Sequence, residues 1–285
     1  MPIRTGFIIG QYLQKYNSDY LKKAFNMSKG SLSCVGVGMT LGAHISPLAK
    51  SYITNADVLF IGVSDGIVER WLMEMHPEAR SLQVYYQEGK SRQLTYKEMV
   101  NAMMEEVRKG RKVCGAFYGH PGVFALPPHK AIDCARSEGY AAVMVPGISA
   151  EDCLFADLGI DPGRVGCIHY EASQFIFYQR KVDPSAYLIL WQIGIVGDNS
   201  LSKYSTGAEY RSILLDILSE DYSLEHSVIL YEAPTLPIHA PRMEKITLKD
   251  LLNAELKLIT TLVIPPSTGM IRNESVMRKI KALPI

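Results

Sequence analysis

The stretch GAFYGHPGVFALPPHK, residues 115–130, decides how the rest of the chain is read. The apolar run Val113-Cys114-Gly115-Ala116-Phe117 has the length and composition of a buried strand, and a helical pattern follows at about Pro127. Between them, Tyr118-Gly119-His120-Pro121-Gly122 packs two glycines, a proline and a histidine into one short loop. Pro121 stiffens such a loop, while Gly119 and Gly122 keep side chains out of the way. Open α/β sheets bind their ligands in loops of this kind, beyond the carboxyl ends of strands. His120 is a candidate base there, although a loop histidine beside a proline more often serves to hold the loop.

Working outward, apolar runs recur near 33–37, 57–62, 81–86, 112–117 and 140–145, with helical stretches between them. This alternation predicts a parallel or mixed sheet flanked by helices. The rhythm pauses at 147–166. Runs then follow at Tyr187–Trp191, Ser227–Tyr231 and Ile259–Ile264, with one helix at about Ala208–Ser219. The second half is therefore expected to be sheet-rich, with fewer crossovers. The expected organisation is an N-terminal extension (1–30, with a helical pattern at Tyr12–Phe25), an α/β subdomain (31–147), a second α/β subdomain (148–270) and a tail (271–285). No internal repeat or low-complexity segment is visible.

The 285 residues are 47% hydrophobic and 21% charged, with a net charge of +1. Near-neutrality with interspersed charges argues against nucleic acid as the main partner. No apolar run approaches the roughly 20 residues that span a bilayer, and the start lacks the apolar core of about 7–15 residues of a secretory signal. The five cysteines form no CxxC pair and have no histidine at metal-ligand spacing. The expectation is a cytoplasmic protein with reduced, buried cysteines, no metal site and no membrane association.

Three other strand-end loops stand out. CVGVGMTLGAH places Gly36 and Gly38 just after the first strand, where they let a ligand or a neighbouring backbone approach closely. A dinucleotide fingerprint would want an acid at the far end of the second strand. Asp57 precedes that strand, so a nicotinamide site is disfavoured and a plain tight turn also accounts for the glycines. In VPGISAEDCLFADLGI, Ser149 is placed as an N-cap supported by Asp152, and capping alone would explain both. Met39, Phe124 and Ile148 read as packing residues. Trp191-Gln192 and Tyr231-Glu232-Ala233-Pro234 each close a strand of the second half.

In SLQVYYQEGKSRQLTYKEMVNAMMEEVRKG, residues 81–110, Leu82, Val84 and Tyr86 fall on one face of an expected strand. Thr95 and Glu98 fit a capping box that would start a helix at about Tyr96, with Met99, Val100, Met103 and Val107 as its apolar stripe. Tyr86 and Tyr96 would then flank one loop, with Arg92 inside it. Two phenols and a guanidinium could converge there. A phenol has an unperturbed pKa of about 10, a nearby arginine favours its phenolate, and Arg92 could hold a developing oxyanion. Core packing of the two tyrosines accounts for them equally well.

Taken together, VGVG, YGHPGVF, PGISAED, WQ and YEA resemble the S-adenosylmethionine-dependent tetrapyrrole methylase superfamily. YGHPGVF with PGISAEDCLFADLGIDP and EGKSRQLTYKEM is similar in particular to the borosin peptide backbone α-N-methyltransferases, over residues 33–265. That resemblance implies an α/β, two-domain tetrapyrrole methylase-like fold with the S-adenosylmethionine site in the interdomain cleft. It implies cofactor contacts from Gly36, Gly38, Tyr118, His120, Pro121, Val123, Phe124, Ser149, Ala150, Gln192, Ala233 and Thr261. It also implies catalysis by Tyr86, Arg92 and Tyr96 without a metal, and leaves open which tyrosine takes the proton. Gly119-His120-Pro121 stands where tetrapyrrole enzymes carry Gly-Asp-Pro, and Met39-Thr40 where they carry Pro-Gly. Both departures favour a peptide substrate.

The implied activity is S-adenosyl-L-methionine-dependent α-N-methylation of backbone amides in a ribosomally made peptide, by a homodimer. The alternatives are methylation of a tetrapyrrole or another small molecule, and an inactive methylase-fold scaffold, against which intact Tyr86, Arg92 and Tyr96 argue. Fused relatives carry their substrate as a C-terminal extension. Here the last strand is followed by about twenty residues holding four basic side chains and ending Ala-Leu-Pro-Ile, a tail that even fully extended reaches at most ~3.3–3.6 Å per residue. The expectation is therefore a split enzyme acting in trans on a separate precursor peptide bound to the homodimer.

Overall fold

The computed structural model describes residues 30–87 and 89–284. The helical pattern at Tyr12–Phe25, with the rest of 1–29, lies outside the described residues. The chain divides into two compact units: one reaches Ala150 and includes Thr235–His239, the other comprises Glu151–Pro234 and the chain from Ala240 onward.

The first unit runs β1 (Ser31–Gly36), α1 (Pro47–Thr54), β2 (Val58–Gly62), α2 (Gly66–Glu74), β3 (Ala79–Ser81), α3 (Arg92–Arg108), β4 (Lys112–Phe117), α4 (Leu126–Ser137) and β5 (Ala141–Val145). Its five strands are all parallel, in the order β3-β2-β4-β1-β5. Successive strand residues feed opposite cores. Leu32, Cys34, Val58, Phe60, Val113 and Phe117 pack with Met99, Met103 and Val107 of α3 and Ala131 of α4. Val35, Leu59, Ile61, Cys114 and Ala116 pack with Ile53 of α1 and Leu72 of α2. Burial on both faces is why these strands read as unbroken apolar runs.

The segment 81–86 departs from expectation. β3 ends at Ser81 and a 3-10 turn follows at Gln83–Tyr85, so Leu82 is fully buried, Val84 is 69% exposed and no common face exists. Side chains terminate the strand: Ser81 Oγ accepts from Gln83 N at 3.0 Å, and Gln83 Nε2 donates to Val63 O at 2.7 Å. The helix also starts earlier, at Arg92, with Ser91 Oγ accepting from Gln93 N at 3.3 Å as its cap. Thr95 is buried in the first turn rather than capping it, and Glu98 pairs with Lys90. Arg92 accordingly lies on the helix, not inside a loop. The expected stripe is seen, with Met99, Met103 and Val107 buried and Met104 added to it.

The second unit follows α5 (Ala150–Leu158) with α6 (Pro162–Val165), β6 (Cys167–Glu171), α7 (Ala172–Phe177), β7 (Tyr187–Trp191), α8 (Ala208–Leu218), β8 (Ser227–Glu232), β9 (Arg242–Thr247), β10 (Thr261–Ile264) and α9 (Glu274–Lys281). Its sheet runs β6-β7-β10-β8-β9, with only β6 and β7 parallel. Leu188, Leu190, Leu214, Leu218, Val228, Leu230 and Leu262 form its core. The tail contains α9, favoured because Asn273 Oδ1 accepts from Val276 N at 3.1 Å and Arg278, Lys279 and Lys281 complement the helix dipole in its last turn. The described cysteines are all free. Cys34 and Cys114 are buried as expected, whereas Cys134, Cys153 and Cys167 keep part of their surface open.

Candidate active site

In the first unit the carboxyl ends of β1 and β4 are tied together. Gly119 N donates to Gly38 O at 2.9 Å and Gly38 N to Gly119 O at 3.2 Å. Both glycines have left-handed φ, +78° at Gly38 and +62° at Gly119. A Cβ on Gly36 would stand 2.4 Å from Gly119 O and 2.7 Å from Gly147 Cα. At Gly36, then, the missing side chain admits a neighbouring backbone, one of the two uses open to it from sequence. The loop beyond is self-braced: His120 Nδ1 accepts from Gly122 N at 2.9 Å and Val123 N donates to His120 O at 3.1 Å. Pro121 is buried and Val123 partly so. Phe124 and Ile148, read as packing residues, are 49% and 40% exposed, and Tyr118 is 49% exposed. Three strand-end residues thus turn apolar surface outward. Ser149 is buried at the entry to α5, and Ala150 opens that helix.

The structure brings Tyr86, Arg92 and Tyr96 together. The Tyr86 and Tyr96 side chains are hydrogen-bonded, and Arg92 and Tyr118 lie close enough to act on Tyr86 electrostatically. Arg92 and Tyr96 are four residues apart on α3 and so share a face. Burial is the main force on the Tyr86 phenol and pushes it well above its ordinary range; Tyr96 and Tyr118 add to this, and Arg92 alone opposes it. The expected arginine-favoured phenolate is therefore not realised at Tyr86, which stays a neutral donor. The Tyr118 phenol, although about half its surface is open, stands among enough neighbouring groups to be raised as well, by desolvation first and then by Tyr96. Nothing in the sequence linked Tyr118 to the other two phenols, because it stands beyond β4, the strand that follows α3, and only the packing of that helix on the sheet brings the three near one another. Tyr86 and Tyr96 also pack against the core around Met99 and Met103. Core packing and chemistry are compatible here.

In the second unit, Gln192, Ala233 and Thr261 gather at one end of the sheet. Gln192 follows β7 with φ +58°. Ile193 N donates to Thr260 O at 3.1 Å, and Thr261 pairs with Tyr231, two residues before Ala233. The Glu232 carboxylate beneath them accepts from Thr260 Oγ1 at 2.7 Å, Arg242 Nη1 at 2.7 Å and Lys257 Nζ at 3.0 Å. Its burial raises the carboxyl, yet these bonds together hold it below the usual range. Among the described residues, positive-φ positions other than glycine are Phe124, Gln192 and Leu201. Two of these three lie in the strand-end loops, where backbone strain accompanies ligand sites.

Sequence reasoning missed Asp65 and Thr235. Asp65 Oδ1 caps α2, accepting from Ile67 N at 2.9 Å and Val68 N at 3.1 Å. Its other oxygen takes the Thr235 hydroxyl at 3.3 Å, and Leu41 N donates to Thr235 O at 2.9 Å. These bonds fix the loop that follows Gly38. The capping pattern before α2 was visible in the sequence, but the link to a residue 170 positions away was not. Among the described residues, no group of three or more His, Cys, Asp or Glu is placed to hold a metal ion. No described helix is long and apolar enough to cross a membrane.

A parallel sheet whose glycine-bordered strand ends carry the polar loops, followed by a mixed sheet with its own, defines an α/β protein of the methyltransferase class. The chain belongs to the tetrapyrrole (corrin/porphyrin) methylase family, whose model matches residues 31–249. It is 41% identical over 258 residues to a methyltransferase/ribosomally synthesized cyclic peptide gymnopeptides precursor from Gymnopus fusipes, covering 89% of this chain and 61% of the relative. It is 40% identical over 259 residues to the corresponding omphalotin A precursor from Omphalotus olearius, covering 90% and 62%. The chain thus spans about three fifths of these relatives. Among solved structures, it is similar to uroporphyrin-III-C-methyltransferase from Thermus thermophilus (TM-score 0.58, 19% identity, 90% of this chain and 97% of the other). Cobalt precorrin-4 methyltransferase matches with a TM-score of 0.58 at 16% identity, over 82% and 94%. These two structures speak for the fold.

Proposed function

We propose that this protein methylates backbone amide nitrogens of a ribosomally made peptide, with S-adenosyl-L-methionine as the donor. The hydrogen-bonded Tyr86–Tyr96 pair beside Arg92 carries the proposal, and the relatives named as methyltransferase/cyclic peptide precursors support the substrate class. The residues suit the cofactor. Tyr118, Phe124 and Ile148 offer open apolar surface for a purine and an aliphatic chain, and the left-handed backbone at Phe124 and Gln192 re-aims peptide groups at the strand ends. Gly36, Gly38, His120, Pro121, Val123, Ser149 and Ala150 complete the residues proposed for the first unit, and Ala233 and Thr261 accompany Gln192 in the second.

When bound, the cofactor supplies a methyl group on a sulfonium, an electrophile whose C–S bond breaks as the new N–C bond forms. A peptide nitrogen is a poor nucleophile until its proton leaves. Tyr96, entering the step as phenolate with its oxygen accepting from the neutral Tyr86 phenol, is the proposed acceptor of the amide proton and leaves the step as the neutral phenol. Arg92 and Tyr86 would stabilise the negative charge that develops on the amide oxygen. Val84 on the turn and Leu94 on α3, both exposed apolar side chains, favour an apolar peptide.

We also propose that the enzyme is a homodimer and accepts the peptide as a separate chain. All the proposed catalytic and cofactor residues fall within 36–261. Incubation with methyl-labelled S-adenosylmethionine and a synthetic apolar peptide should place label in the peptide. Label in an added porphyrinoid and none in any peptide would overturn the proposal.

A further inference from the structure

The turn that carries Tyr86 is held from both sides. Toward the sheet, Leu82 N donates to Ile61 O at 2.8 Å and Gln83 Nε2 to Val63 O at 2.7 Å. Toward the helix, the Tyr85 carbonyl, one peptide unit from Tyr86, accepts from Lys90 Nζ at 2.9 Å and from Thr95 Oγ1 at 3.5 Å. The same Lys90 ammonium is hydrogen-bonded to Glu98 on the second turn of α3. Its side chain is only 14% exposed. Burying a lysine costs free energy unless its charge is paired and its protons are taken up. An ammonium spent on bridging a turn carbonyl to a helix carboxylate is costly as packing, and it sits at the joint between the two elements whose phenols meet.

We infer that Lys90 is a positioning residue for methyl transfer: bridging the Tyr85 carbonyl and Glu98, it holds the Tyr86 turn in register with the helix that bears Arg92 and Tyr96. The inference rests on the catalytic roles proposed above. Without the bridge, the turn keeps its ties to β2 and is joined to α3 through its carbonyl by the 3.5 Å Thr95 hydroxyl contact alone, so the turn shifts from α3 and the Tyr86–Tyr96 hydrogen bond lengthens. The groups facing Tyr86 are Tyr96 and Arg92 from α3 and Tyr118 from the end of β4, none of which the change touches.

The test compares Lys90→Met, which keeps the stem and removes the charge, with Glu98→Gln, which leaves the lysine in place. Both should bind S-adenosylmethionine within about threefold of the parent while kcat falls by roughly 10–100-fold with little change in KM, the scale of a small misplacement of catalytic groups. A ring-¹³C tyrosine NMR titration, with Tyr86 assigned from the Tyr86→Phe spectrum, gives a readout independent of turnover. The Tyr86 signal should begin to titrate toward the ordinary phenol value of about 10 in both variants, and stay protonated there in the parent. Parental kcat together with an unmoved Tyr86 signal in two folded variants would overturn the inference. Full turnover by Tyr86→Phe itself would overturn the catalytic reading instead, leaving the NMR titration to decide whether Lys90 holds the turn.

Discussion

At Tyr86 two influences compete, and burial wins over the nearby guanidinium. A neutral Tyr86 can donate but cannot start as the base, which separates the roles of the two phenols. Tyr96→Phe should therefore lower turnover by about 10²–10⁴, the usual cost of losing a general base. Tyr86→Phe should lower it less, and Arg92→Lys should also slow transfer, because lysine keeps the charge and loses the planar fork. Calorimetry with S-adenosylmethionine should give near-parental affinity in all three. Equal turnover in all of them would move the chemistry elsewhere. Glu106 makes a stability prediction. It is buried under Lys109, Arg80 and Arg111, and their hydrogen bonds, Lys109 first, lower its pKa from 4.5 to about 2. A depressed carboxyl contributes stability that is full above its unfolded value and lost as the pH falls through the folded one. Glu106→Gln should thus cost about 2 kcal/mol near neutrality, shrinking between pH 4.5 and about 2; urea unfolding across that window would show it.

At the scale of elements, the strand ends carry the account. Gly119 at φ +62° has Met39 Sδ 3.2 Å from where a Cβ would stand. Gly119→Ala should cost about 1–2 kcal/mol from the left-handed backbone alone and weaken cofactor binding by disturbing the Gly38 bridge. Thermal unfolding and calorimetry would separate the two effects. The β1, β2 and β4 runs were legible in the sequence because burial on both faces keeps them largely apolar, and β5 because AAVMV is apolar throughout although only partly buried. β6 and β9, with sequences CIHYE and RMEKIT, were not, since half-exposed strands lack that signature. The start of α3 was misread because Thr95 and Glu98 imitate a capping box. The genuine box lies at Thr247 and Asp250, and Ser91 caps α3 instead. Spacing alone cannot show that Thr95 is buried and Glu98 is engaged by Lys90.

At the scale of the whole chain, the loop motifs were enough to indicate the family, whose model matches residues 31–249. The convergence of Tyr86, Arg92 and Tyr96 was legible as a possibility, since all three fall within eleven residues. The approach of Tyr118, and the tie between Asp65 and Thr235, depend on contacts distant in sequence and left no local trace. The central claim is that the chain places methyl groups on peptide nitrogen. Tandem mass spectrometry of a synthetic apolar peptide, after incubation with the protein and S-adenosylmethionine, tests it most directly. Mass additions of about 14 Da should localise to backbone amides by fragmentation and vanish with Tyr96→Phe, the variant that lacks the proposed proton acceptor. Additions confined to side chains, or unchanged by that substitution, would contradict the account.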